Sequence, residues 1–126
     1  AEVCSDLESH DPSGATISLW SVDGLGTAPR VELFCLSSDG LELDLQLDVD
    51  GNPGWLVLSA TALGGFDLSE SDSPVEVSLR SGGLSFGADD ITAGTLTLSS
   101  ADEGDFNALA TNTEGQIDVD LSWAAD

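Results

Sequence analysis

The residues of this chain that can carry chemistry are few, and most of them are acids. There is one histidine (His10), two cysteines (Cys4 and Cys35), two arginines (Arg30 and Arg80), no lysine and no tyrosine, against 24 Asp and Glu. Ser9, His10 and Asp11 are sequence neighbours. A catalytic triad is a convergence of side chains from separate segments, and three consecutive residues cannot usually form one. Paired carboxylates at a defined separation run glycoside hydrolysis. Among 24 acids some pair meets that separation by chance, so acidity alone carries no signal for it. The expectation is a non-catalytic protein, with no catalytic residue and no cofactor site assigned.

Two binding chemistries have residues behind them. The run Asp48-Val49-Asp50-Gly51-Asn52 sets oxygens at Asp48, Asp50 and Asn52, the opening of many calcium loops, where hard ligands converge on a hard cation. The match stops at Pro53, where an EF-hand needs Gly, and at Ser59, where it needs Glu. A calcium site completed from elsewhere and an ordinary Asp-Gly turn are the two readings of this run. The second chemistry is aromatic. Trp123 continues the apolar alternation of its segment and is expected in the core. Trp55 follows a turn and Trp20 breaks the parity of its segment, so these two are the candidates for stacking on a sugar ring. Packing in the core is the alternative for each.

Two cysteines and one histidine are too few for a zinc site, and the cysteines are too far apart for a CxxC redox motif. A Cys4–Cys35 disulfide closes a loop of about 30 residues and is worth roughly 3–4 kcal/mol in the chain-entropy model. It implies an oxidising compartment: extracellular, cell-surface or periplasmic. The opening Ala1-Glu2-Val3, with no Met, fits a processed mature protein or a trimmed chain. No apolar run reaches the length that spans a membrane.

The net charge of −22 excludes more than it names. Phosphate recognition needs cations on the protein, so nucleic acid is not expected as a ligand. An anionic membrane surface is disfavoured for the same reason. Protein partners or self-assembly, carbohydrate and cations remain. A surface adapted to salt accounts for the acidity most simply, because added ions screen the self-repulsion. A decoy for a basic protein is a further reading.

The elements that must position these residues are strands. Leu41, Leu43, Leu45, Leu47 and Val49 alternate with Glu42, Asp44, Gln46, Asp48 and Asp50, the period of a sheet with one dry and one wet face. Val75–Arg80 and Ile117–Trp123 repeat it, and 15–22 and 95–98 are further strand candidates. Segments 31–36 and 55–63 are partly apolar on both faces, as central strands under a second layer would be. Turn signals separate these runs: Asp23-Gly24, Asp39-Gly40, Asp50-Gly51-Asn52-Pro53-Gly54, Gly64-Gly65, Ser81-Gly82-Gly83, Glu103-Gly104 and Glu114-Gly115. Residues 101–110 offer at most one helical turn.

The expected fold is one all-β domain over 1–126, an antiparallel β-sandwich of about seven to nine strands, immunoglobulin-like or jelly-roll-like, with a partly closed barrel as alternative. The expected function is a non-catalytic module of a secreted or cell-surface protein, structural, adhesive or an assembly subunit. If it assembles, the segment Ile117–Trp123 or the N-terminal arm is the one to complete a neighbour's sheet.

Overall fold

The computed structural model describes Cys4, residues 7–70 and residues 72–125. Twelve strands follow one another: β1 (Glu8–His10), β2 (Ala15–Val22), β3 (Leu25–Gly26), β4 (Arg30–Leu36), β5 (Glu42–Val49), β6 (Asn52–Ser59), β7 (Gly64–Asp67), β8 (Glu76–Ser81), β9 (Leu84–Gly87), β10 (Ile91–Leu98), β11 (Glu103–Asn112) and β12 (Gly115–Ala124). They form two antiparallel six-stranded sheets, ordered β1-β4-β5-β6-β8-β9 (sheet A) and β3-β2-β12-β11-β10-β7 (sheet B). The fold is a β-sandwich, and the sheets do not close into a barrel. Twelve strands exceed the seven to nine expected because β1, β3, β7 and β9 are only two to four residues long. A period of two cannot declare itself over so short a run. These four strands are also the outermost of their sheets.

The strict alternation in β5 is realised as written: Leu43, Leu45, Leu47 and Val49 are buried while the residues between them face outward. Ile117, Val119, Leu121 and Trp123 do the same from β12, and Val77 and Leu79 from β8. With Trp20, Phe34, Leu56, Leu96 and Phe106 they fill one core between the sheets. Two of the ladders are interrupted by bulges whose extra residue carries a hydroxyl. Ser18 Oγ donates to the carbonyl of Asp120 at 3.0 Å, and Thr92 Oγ1 to that of Leu109 at 3.2 Å. The bulge at Ser18 shifts the parity of β2 by one residue and so turns Trp20 inward. Residues 103–110 lie in β11 rather than in a helical turn; the helical pieces among the described residues are the 3-10 turns Pro12–Gly14 and Ala88–Asp90. Of the turn signals, Gly64-Gly65 and Glu103-Gly104 prove to open strands, β7 and β11.

One expectation about strand neighbours is corrected. The segment 117–123 is not a spare strand: β12 is paired along both edges, with β11 and with β2. Glu42, Asp44 and Asp48 of β5 lie in sheet A, apart from Asp118 and Asp120 of β12 in sheet B. Nothing in the local sequence distinguishes a central from an edge position, since both show the same alternation.

The register distributes the charge. Glu42 and Glu76 are each opposite Ser59, Asp44 is opposite Cys35 and Val57, and Asp105 is opposite Thr97 and Ser122. Asp120 meets Asn107 and Leu19; Asp118 meets Leu109 and Ser21. In no ladder among the described residues is one acid directly opposite another. Like charges directly opposite destabilise a sheet. A neutral residue between two acids keeps them about two strand spacings, or roughly 10 Å, apart, close to a Debye length at physiological salt, about 8 Å.

Candidate ligand-binding face

Three devices hold the outer face of sheet A in place. The first is the β5–β6 hairpin. Its turn is only Asp50-Gly51, shorter than the Asp50–Gly54 run, and both residues have positive φ (52° and 89°). That is the conformation of the tight hairpin turn whose twist matches the strands. Asp48 Oδ1 accepts the Gly51 N–H at 2.8 Å and closes the turn from beneath. The second device is the Cys4–Cys35 disulfide, which ties the N-terminal segment to β4 at the outward-facing Cys35. The third is an inter-sheet pin: Trp20 Nε1 donates to Ser81 Oγ at 3.1 Å, joining β2 to the end of β8 with both groups buried.

On this face one row runs Leu33–Gln46–Trp55–Arg80–Ser85 across β4, β5, β6, β8 and β9. The next row, toward the hairpin tip, is Arg30–Asp48–Pro53. Segments 31–36 and 55–63 looked apolar on both faces, which suggested a covering layer; among the described residues no such layer lies over Leu33, Trp55 and Val57, and Val57 is 38% exposed. Between these rows opens a groove of about 600 Å³. Leu33, Pro53 and Trp55 supply its apolar lining, and Gln46, Asp48 and Asn52 its polar groups. Arg80 lies over the Trp55 ring, 4.8 Å from its centroid, on the β8 side, while the groove opens on the β5 side.

The electrostatics of this face differ from the rest of the molecule. Both arginines of the chain project from it. Arg30 reaches the carboxylates of Asp48 (3.3 Å) and Glu32 (3.5 Å), side by side with the groove. Arg30, bridged to both Glu32 and Asp48, offsets part of the groove's negative charge, in a chain of net charge −22.

The other sequence candidates fall elsewhere. Trp20 is fully buried, so its ring has no open face for a ligand to stack on. Asp48, Asp50 and Asn52 do not converge. Asp48 pairs with Pro53 on the outer face, Asn52 pairs with the inward-facing Val49, and Asp50 stands in the turn itself. Both carboxylate oxygens of Asp48 are already engaged, by Gly51 and by Arg30. Among the described residues no three His, Cys, Asp or Glu side chains are gathered closely enough to hold a metal ion. His10 lies on the edge strand β1, its ring against Phe34 at 5.5 Å, and Asp11 caps the following 3-10 turn through Ser13 N–H at 3.0 Å. Asp90 accepts from Gly87 N–H (2.9 Å) and from Asn112 (3.4 Å), which ties β9 in sheet A to β11 in sheet B.

Trp55 stands out in the sequence by its type and place; its neighbours on this face do not. Leu33, Gln46 and Arg80 join it through strand pairing, which no local pattern announces; the one available signal was the apolar outer parity of 31–36 and 55–63. No helix among the described residues is long and apolar enough to cross a membrane. Comparison with protein-family models, with curated proteins and with solved structures finds no match for the chain.

Proposed function

We propose that this protein is a non-catalytic adhesive module of a secreted or cell-surface protein, and that it holds its partner through the outer face of sheet A. The observation that carries the reading is the Trp55 groove, a concave, partly apolar surface on an otherwise polar, strongly acidic molecule. The Cys4–Cys35 disulfide supports an oxidising compartment.

The test is adsorption of the full chain to insoluble extracellular material, such as cell envelopes and cell-wall powders, in about 1 M NaCl, where charge-driven adsorption is screened. The expected result is retention of a monomeric protein on at least one material. That retention falls sharply in Trp55→Ala and is unchanged in Leu19→Ser, which alters the outer face of sheet B. Equal retention of the two variants, or retention of neither variant nor the parent, refutes the reading.

A further inference from the structure

We infer that the groove beside Trp55 is a subsite for one ring of a neutral saccharide. The inference rests on reading this face as the binding surface and adds the chemical class of the ligand. Three observations select that class.

The first is the lining. An indole and a proline ring form apolar walls, and Gln46, whose Nε2 donates to Asp44, presents its amide oxygen between them. A pyranose has the matching anatomy: C–H groups on a ring face, which lie well against the negative face of an aromatic system, and hydroxyls at the rim that donate to an amide oxygen. The second is how the aromatic ring is held. Arg80 packs against it from the β8 side, which leaves the groove side to a ligand and limits the indole's freedom to turn away. Such preorganisation reduces the ordering cost of binding.

The third is charge. A cationic ligand finds uncompensated carboxylates over most of this molecule and has no reason to prefer the groove where Arg30 already engages both Glu32 and Asp48. An anionic ligand is repelled by the chain as a whole. A neutral ligand suffers neither penalty, and against the apolar Trp55 and Pro53 walls it displaces little water from charged groups. The groove is open rather than enclosed and runs beside further outward residues of β4–β6, so it suits one unit of a longer chain.

The experiment uses the intact protein. Trp20 and Trp123 are buried, so quenching by acrylamide, a neutral quencher, reports mainly on Trp55. Hexasaccharides of β-1,4-glucan, α-1,4-glucan, β-1,4-mannan and β-1,4-linked N-acetylglucosamine are titrated by quenching protection and by calorimetry. Hexalysine is run in parallel, at low and at high salt. The expected result is that at least one neutral hexasaccharide protects Trp55, with an affinity that salt leaves nearly unchanged. Trp55→Ala weakens it about tenfold or more, the scale of one lost aromatic contact, Gln46→Ala weakens it by less, and Ser78→Ala does not alter it. Protection by hexalysine alone, lost at high salt, overturns the saccharide assignment while leaving this face as the binding surface. Protection by neither ligand also overturns it. If, in addition, Trp55→Ala retains adsorption to extracellular material, the adhesive reading falls with it.

Discussion

Replacing Ser59 by glutamate puts an acid directly between two others, because Ser59 is opposite both Glu42 and Glu76 on the outer face of sheet A. Directly opposed side chains have Cβ atoms about 5 Å apart. Two unit charges at about 5 Å in water repel by about 0.8 kcal/mol, so two neighbours give about 1.7 kcal/mol before screening. Attenuation with Debye lengths of about 30, 8 and 3 Å leaves about 1.4 kcal/mol at 0.01 M salt, 0.9 at 0.15 M and 0.3 at 1 M. Ser59→Gln has nearly the same size and no charge, so it removes packing and propensity from the comparison. The assay is urea denaturation of both variants at the three salt concentrations, reading the difference between Glu and Gln. The expected difference declines from about 1.4 to about 0.3 kcal/mol across the series. A Glu–Gln difference that is absent at low salt, or that does not decline with salt, refutes the claim that the register keeps like charges apart to any energetic purpose.

Two further perturbations address the core and the turns. A Cβ on Gly104 would lie 2.4 Å from Cζ2 of the buried Trp123, its cross-strand partner, so Gly104→Ala is expected to cost about 1–3 kcal/mol through overpacking. Gly83→Ala, with open space around it, is expected to change stability by less than about 0.5 kcal/mol; equal thermal midpoints for the two variants contradict this. Asp39 and Asp67 are held below the ordinary 3.8 first by the hydroxyls of Ser37 and Ser69, and Asp11 first by the Ser13 N–H. A depressed folded-state value means that their contribution is present above about 3.8 and is lost as pH falls through the lowered value. Amide exchange at Leu41, Ser69 and Ser13, whose N–H groups those carboxylates accept, is expected to accelerate in that acid window. Asp39→Asn abolishes the pH response at Leu41 alone, and protection that persists at the lowest pH goes against it.

The parts of this fold that depend on one segment at a time were legible in the sequence. Leu43 to Val49 and Ile117 to Trp123 announce their buried faces because a half-wet strand has no other solution. What stayed hidden depends on pairs of segments. The bulge at Ser18 reversed the meaning of parity in β2, and Trp20, which seemed misplaced, proved to be the core residue that pins β2 to β8. The separation of acids is a property of register, so Ser59 does not reveal its role as a spacer in isolation. The candidate site divides the same way: Trp55 stood out, whereas Gln46 and Leu33 acquire meaning only once β4, β5 and β6 lie side by side.

The bond between Cys4 and Cys35 also has a mechanical meaning. Their sequence separation is 31, a span that would contribute about 100–110 Å of contour length if fully drawn out. Tension arriving from before Cys4 passes through the sulfurs directly into β4, and the span bearing β1, β2 and β3 hangs beside the line of force as stored, unspendable length. Reduction turns that span into slack that must be pulled out before β4 feels the full load. The redox state of the surroundings therefore sets how far the molecule stretches under a given load.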